Sequence, residues 1–245
     1  PNQNPSTSAL SYFPNDERFE AHTIVRWMPS IQQQPEPRRI IFILDRSGSM
    51  NGYKLETSKA MLKRALDGIS KQDRFSIVAF DSNAESWSGT LEGVGKVEAA
   101  KKWVDGISDA GSTNVDDAFQ EAASIARASD ERHVDILLIT DGRPTAGRTG
   151  VSGIIDRFDR DMKDTSYRVF ALGIGGDLDQ GYLDELTDGT GGLATYALAD
   201  SSLEAQFMDL YARTQDGGLR EASATLSVGG QANYHALFPG DVVTI

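Results

Sequence analysis

The sequence predicts an α/β protein: a doubly wound, mostly parallel six-stranded sheet with one antiparallel edge strand and helices on both faces. Three observations carry that expectation. Short β-branched runs alternate with stretches of helical period from residue 40 to about residue 214, the pattern of right-handed crossovers between parallel strands. The run IIFIL at 40–44 is apolar at every position, which suits a strand covered on both faces. Apolar residues make up 39 % and charged residues 24 % of the 245, enough to bury a large core.

The elements follow in order. Residues 1–18 are polar, with Pro5 and Pro14, and read as a loose lead-in. FEAHTIVRWM at 19–28 is rich in strand formers, and the prolines and glutamines of PSIQQQPEPRR at 29–39 make it a linker. After the strand at 40–44, Leu55, Leu62, Leu66 and Ile69 share one helical stripe, with Met61 and Ala65 beside it. RFSIVAF at 74–80 is a second strand, and 86–91, after the turn-like Asp81-Ser82-Asn83, is expected as the antiparallel edge strand. Val97, Ala100, Val104 and Ile107 mark one helix; Val115, Ala118, Ala122 and Ile125 mark another.

Alternation then continues. A strand at 133–140 is followed by a helix around Ile154, Ile155, Phe158 and Met162 and by a strand at 167–174. A short helix at 182–186, a strand at 193–198 and a helix carrying Leu203, Phe207, Leu210 and Tyr211 complete the set. Beyond Gly217-Gly218 the pattern reverts to strands at 219–228, 234–238 and 241–245. These are expected to pair with the amino-terminal strand as a small β appendage. The expected division is a lead-in and flanking strand at 1–38, an α/β domain at 39–214 and terminal strands at 215–245.

Composition excludes several function classes. Lys plus Arg is 24 against 36 Asp plus Glu, a net charge of −12. Binding through phosphates draws its affinity from neutralising cations, so nucleic acid is not expected as a partner. The absence of cysteine removes disulfides, thiolate metal sites and cysteine nucleophiles. The apolar run at 40–44 falls far short of the ~20 residues that cross a bilayer, so no membrane insertion is expected. Beginning at Pro1 with no leader-like stretch, the chain reads as a processed or excised piece.

Other motifs have bland explanations. His22, His133 and His235 fall on three different strands, none beside a serine in a nucleophile elbow, so a hydrolase triad lacks its base. GTGGLA at 189–194 matches a dinucleotide fingerprint in letters, but a helix precedes it and a strand follows, the reverse of the required order. Asp177-Leu178-Asp179 opens like a calcium loop, then places Gly181 at a ligand position; it reads as a helix start.

Ligands of an open α/β sheet sit beyond the carboxyl ends of its strands, and there the chemistry gathers. Asp45-Arg46-Ser47-Gly48-Ser49 follows one strand, Thr140-Asp141-Gly142 ends another, and Gly111-Ser112-Thr113-Asn114 opens a helix. Carboxylates and hydroxyls are hard oxygen ligands that suit Mg²⁺, Mn²⁺ or Ca²⁺. With only two acids at hand, a bound dication would keep electrophilic character and a position for an outside oxygen. The competing reading is a set of helix caps, for which Ser, Thr, Asp and Asn are also favoured.

Asp45-x-Ser47-x-Ser49 with Thr113 and Thr140-Asp141-Gly142 resembles the metal-ion-dependent adhesion site of von Willebrand factor A domains, over about residues 39–214. The stretches DRSGSMNGYKLETSKAMLKRAL, DRFSIVAFDS, GSTNVDDAF and LLITDGRPTAG look like the inter-alpha-trypsin inhibitor heavy chains and their bacterial relatives. The resemblance implies Ser47, Ser49 and Thr113 as coordinating hydroxyls, and Asp45 and Asp141 as ligands bound directly or through water. It implies a binding domain and no enzyme, a protein partner that supplies a Glu or Asp carboxylate, and an extracellular or cell-surface setting. Arg46 departs from the small or apolar residue frequent in that group, and a cation so placed is expected to tune acid binding. Two further readings stay open: a structural module of a larger surface protein whose metal stiffens the loops, and a metal-dependent phosphohydrolase with Asp45 as nucleophile. The latter lacks a second Asp, since Ser47 stands there, and shows no identifiable Lys partner.

Overall fold

Why the strand at 40–44 is apolar throughout is evident from its neighbours. In the computed structural model, which describes residues 6–12, 22–28, 37–176, 178–197, 200–215, 219–225, 231–237 and 242–244, the chain divides into two units. One comprises Pro37–Gln215, the other Pro1–Glu36 with Asp216–Ile245.

The smaller unit holds β1 (Ser6–Tyr12) and β2 (His22–Met28), which pair antiparallel. The larger begins with β3 (Arg39–Asp45), α1 (Tyr53–Asp67), β4 (Arg74–Phe80), β5 (Ala84–Ser86), α2 (Val97–Asp105) and α3 (Val115–Ser129). It continues through β6 (His133–Thr140), α4 (Val151–Met162), β7 (Ser166–Ile174), α5 (Gln180–Thr187), β8 (Ala194–Ala197) and α6 (Asp200–Arg213). Three strands return to the smaller unit: β9 (Leu219–Thr225), β10 (Gln231–Leu237) and β11 (Val242–Thr244).

The six-stranded sheet runs β5-β4-β3-β6-β7-β8. All its pairs are parallel except β4 with β5, as the residue pattern predicts. β3 lies inside the sheet between β4 and β6, with Ile41 opposite Ser76 on one side and Ile136 on the other. Helices cover both faces, so residues 40–44 have 0 % exposure. On one face α3 offers Ala118, Ala122, Ala123 and Ala126, all fully buried, small side chains that let the helix lie close to the strands. Phe119 of α3 meets Phe158 of α4 edge to face, centroids 5.0 Å apart.

Buried ion pairs close the amino edge of this sheet. Arg38 donates to Asp73 at 3.1 Å and to the Gly68 carbonyl at 2.7 Å, with its guanidinium 4.5 Å from the Tyr211 ring centre. Arg168 donates to both oxygens of Asp135 at 2.7 and 2.8 Å and to the Thr214 carbonyl at 3.0 Å. Tyr211 donates its hydroxyl to the Ala65 carbonyl at 3.0 Å. These contacts hold the end of α6 against the sheet and against α1.

Some expectations need correcting. The lead-in at 1–18 contains β1, a polar strand whose backbone pairs supply what its weak apolar pattern does not. The antiparallel edge strand is Ala84–Ser86 and not 86–91. Trp87 makes the last ladder bond, from its N–H to the Ile77 carbonyl at 2.8 Å, and stacks on Phe75, centroids 5.4 Å apart; the Ser76 hydroxyl then reaches the Ser88 carbonyl at 2.9 Å, and backbone pairing with β4 resumes where Glu92 and Phe75 exchange hydrogen bonds. In the terminal strands β11 pairs with β2, while β9 and β10 pair with each other. Of the linker expected at 29–39, Arg39 already belongs to β3, and residues 29–36, like Asp177, lie outside the described residues. Among the described residues no helix is long and apolar enough to cross a membrane.

Truncating Phe119 to Ala removes the ring that joins α3 to α4. It is expected to lower the unfolding free energy by about 3–5 kcal/mol, measured by urea denaturation of the intact chain.

Candidate metal centre

The carboxyl edge of the sheet is where the fully apolar strand gives way to a carboxylate. Asp45 is the last residue of β3 and has 0 % exposure. Its Oδ1 accepts the Ser47 backbone N–H at 2.8 Å and its Oδ2 accepts the Thr140 hydroxyl at 2.6 Å. Burial pushes the Asp45 carboxyl up to about 6, against the hydrogen bonds from Ser47 and Thr140 that favour its charged form; the nearby Asp141 adds to the rise.

The loop that follows turns back at once. Arg46 donates its N–H to the Phe80 carbonyl at 2.8 Å, and a short 3-10 turn at Gly48–Met50 leads into α1. That turn brings the Ser47 and Ser49 hydroxyls within 3.2 Å of each other. Ser49 donates to Asp141 Oδ1 at 2.8 Å, joining the loop after β3 to the loop after β6. Asp141 is buried, and its Oδ2 accepts from the Lys54 ammonium at 2.6 Å.

Thr113 arrives on a third loop. Gly48 donates its N–H to the Gly111 carbonyl at 3.2 Å, and Ala110 donates to the Arg46 carbonyl at 2.9 Å, so this loop lies along the first. Gly111 has φ +66, and a Cβ there would come within 2.6 Å of Ser82 Oγ, so the approach needs glycine. Thr113 is buried, and its carbonyl accepts from Thr145 and Ala146. Asn114 caps α3, its side chain accepting from the Asp117 N–H at 3.2 Å. The capping role thus falls to the neighbour and leaves Thr113 outside the helix.

Asp45, Ser47, Ser49 and Asp141 therefore form one cluster with Thr140, and Thr113 stands on the adjoining loop. Arg46 does not face this cluster: its guanidinium pairs with Asp81 at 3.0 Å and Glu85 at 3.2 Å. The cation that does is Lys54, which belongs to none of the motifs. Its signal was positional, a lysine five residues beyond Ser49 in the first turn of α1. Thr140, also missed as a partner of Asp45, was legible as the residue before Asp141.

Among the described residues no group of three or more His, Asp and Glu side chains is placed to hold a metal ion. The cluster at the sheet edge relies on hydroxyls in their stead. Its donors are all oxygen, and it already accommodates the positive charge of an ammonium, so the residues fit a hard cation.

The motifs set aside earlier take structural places. Asp179 caps α5 by accepting from the Tyr182 N–H at 2.9 Å. Residues 189–194 lie between α5 and β8, helix before strand. His133 shares hydrogen bonds of 3.0 Å with Asp135 and Ser166 at the amino edge, away from the oxygen cluster.

Comparison with known proteins is consistent across sequence and structure. The family model described as von Willebrand factor type A domain matches residues 38–196. The human inter-alpha-trypsin inhibitor heavy chain H4 is 33 % identical over 71 % of this chain, which covers 20 % of that protein. The chain thus spans about a fifth of the length of the curated relatives it matches. A von Willebrand factor type A protein from Catenulispora acidiphila superposes with a TM-score of 0.69 at 17 % identity, covering 91 % of this chain and 59 % of that one. Proximal thread matrix protein 1 from the mussel byssus, in a structure with a zinc-occupied MIDAS motif, gives a TM-score of 0.60 at 17 % identity over 74 % of this chain and 46 % of that one.

A pH dependence follows from Asp45. Its folded pKa of about 6 lies above its ordinary 3.8, so the folded chain holds this proton more tightly than the unfolded chain. Stability from this group is full below pH 4 and is lost as pH rises through 6, by about 3 kcal/mol in all. Asp45→Asn removes that loss. In chelator, its unfolding free energy relative to the parent is expected to rise by about that amount between pH 4 and pH 7.5, read from denaturant midpoints.

Proposed function

The chain belongs to the von Willebrand factor type A domain family, and on that premise we propose that it is a divalent-metal-dependent protein-binding domain. Domains of this family are typically protein-interaction or adhesion modules. The observation that carries the proposal is the continuous oxygen cluster at the carboxyl edge, in which Ser49 bridges the loop after β3 to Asp141 after β6.

Ser47, Ser49 and Thr113 would hold the ion through their hydroxyls, and Asp45 and Asp141 directly or through water. A bound Mg²⁺, or Mn²⁺ or Ca²⁺, would supply an electrophilic position for one oxygen of a Glu or Asp carboxylate from a partner protein. The chain's own residues do the rest. Buried Asp45 anchors the cluster to the central strand, Thr140 and the Ser47 N–H orient its carboxylate, and the Gly48–Gly111 bond keeps the third loop in register. Zinc in the mussel byssus protein's site adds that ion to those worth testing. Likeness to the heavy chains supports an extracellular or cell-surface setting.

A phosphohydrolase with Asp45 as nucleophile fits poorly. Both Asp45 oxygens are hydrogen-bonded inside a fully buried residue, and the neighbouring lysine pairs with Asp141 and not with Asp45.

Saturation with Mg²⁺ at a hundredfold over its Kd is expected to stabilise the chain by about 2.7 kcal/mol, a rise in Tm of about 5–10 °C for a domain of this size. Ser49→Ala and Asp141→Ala are expected to abolish that rise in thermal melts. Partner capture should likewise be lost on chelation and in Asp45→Ala; binding that survives both refutes the proposal.

A further inference from the structure

The oxygen cluster meets a cation of the chain's own. Lys54 Nζ lies 2.6 Å from Asp141 Oδ2 and 3.3 Å from the Ser49 carbonyl. The other oxygen of Asp141 accepts the Ser49 hydroxyl at 2.8 Å, so both are engaged. The side chain of Asp141 is 2 % exposed while that of Lys54 is 27 % exposed, which gives the ammonium an exit to solvent that the carboxylate lacks. Gly175, just past the end of β7, lies against this side chain: a Cβ there would stand 3.6 Å from the Lys54 ammonium, an ordinary contact. Nearby arginines are committed elsewhere, Arg46 to Asp81 and Glu85 and Arg143 to Asp179.

We propose that Lys54 is a resident counter-cation of this site, competing with divalent ions for Asp141 and so setting their affinity. The inference rests on the metal-binding reading above and deepens it. Asp45 and Asp141 together carry two negative charges when ionised, and Lys54 offsets one of them. A divalent ion that engages Asp141 must either displace the ammonium along its flexible stem or bind beside it against its charge; both weaken binding. The same lysine lets the cluster exist without metal, because it supplies the positive charge that the Ser49 hydroxyl, the other partner of this buried carboxylate, does not. The site is thereby tuned to fill and empty with the ambient divalent concentration instead of holding its ion permanently.

The test is Mn²⁺ binding to the intact chain, by isothermal titration and by loss of the free-ion electron paramagnetic resonance signal, at pH 7.5 and fixed salt. Removing a unit charge a few ångströms from a dication predicts tighter binding in Lys54→Met, on the order of tenfold. Lys54→Arg keeps the charge and is expected within about threefold of the parent by the same argument. Lys54→Gln serves as a second neutral variant, with circular dichroism to verify folding, in case Met perturbs the start of α1. Equal or weaker affinity in the folded neutral variants, with the parent binding normally, overturns the role of Lys54 and leaves the metal site standing. If parent and variants alike take up no Mn²⁺ at millimolar concentration, the metal site and this inference fall together.

Discussion

A carboxylate buried at the end of the central strand governs this structure. β3 enters the molecule as five fully enclosed apolar residues, and the next residue along the same strand is Asp45. Strand geometry gives it no route back to solvent, so its charge must be met where it stands. The Ser47 N–H and the Thr140 hydroxyl meet it in part, and the price in desolvation appears as its raised pKa. Everything at that edge is arranged around the shortfall: the tight turn that lines up Ser47 and Ser49, the glycine-dependent approach of the third loop, and the second buried carboxylate at Asp141.

The two edges of the sheet solve opposite electrostatic problems with the same residue types. At the amino edge each buried acid has a dedicated arginine. Burial would raise Asp73, yet the N–H groups of Ser70 and Arg38 and the Arg38 guanidinium hold its carboxyl below the usual range. Burial likewise opposes the charge of Asp135, and His133 and Arg168 outweigh it. These pairs are internally complete and fasten α6 in place. At the carboxyl edge, one of two carboxylates has a lysine and the other only an N–H and a hydroxyl. Hydroxyls orient charge without cancelling it, so that edge retains a demand for cations that the other does not have. The contrast gives the proposed metal function its physical basis: the molecule is satisfied at one end and electrostatically incomplete at the other.

Residue patterns determined much of this in advance. The alternation of β-branched runs with helical stripes, and the all-apolar run at 40–44, were sufficient for a parallel sheet with helices on both faces, because periodicity and two-sided burial are local consequences of composition. The rule that ligands gather beyond strand ends pointed to the loops at 45–49, 111–114 and 140–142, and within them Asp45, Ser47, Ser49, Thr113 and Asp141 were singled out by the resemblance to von Willebrand factor A domains. Polar β1 escaped notice because its pairing partner, and not its own composition, makes it a strand. The edge strand was misplaced because the stacking of Trp87 on Phe75 is a contact between residues twelve apart in sequence.

Only the tertiary structure decided which charges meet. Arg46 adjoins Asp45 in sequence yet faces Asp81 and Glu85, since successive residues of an extended chain point to opposite sides. Lys54 is nine residues from Asp45 and 87 from Asp141, and the turn into α1 brings its ammonium onto Asp141. Thr140 reaches Asp45 across 95 residues because β6 lies beside β3. Composition and period specify the layers; hydrogen bonds among distant strand ends depend on strand order and on the direction of each turn, which no local pattern encodes.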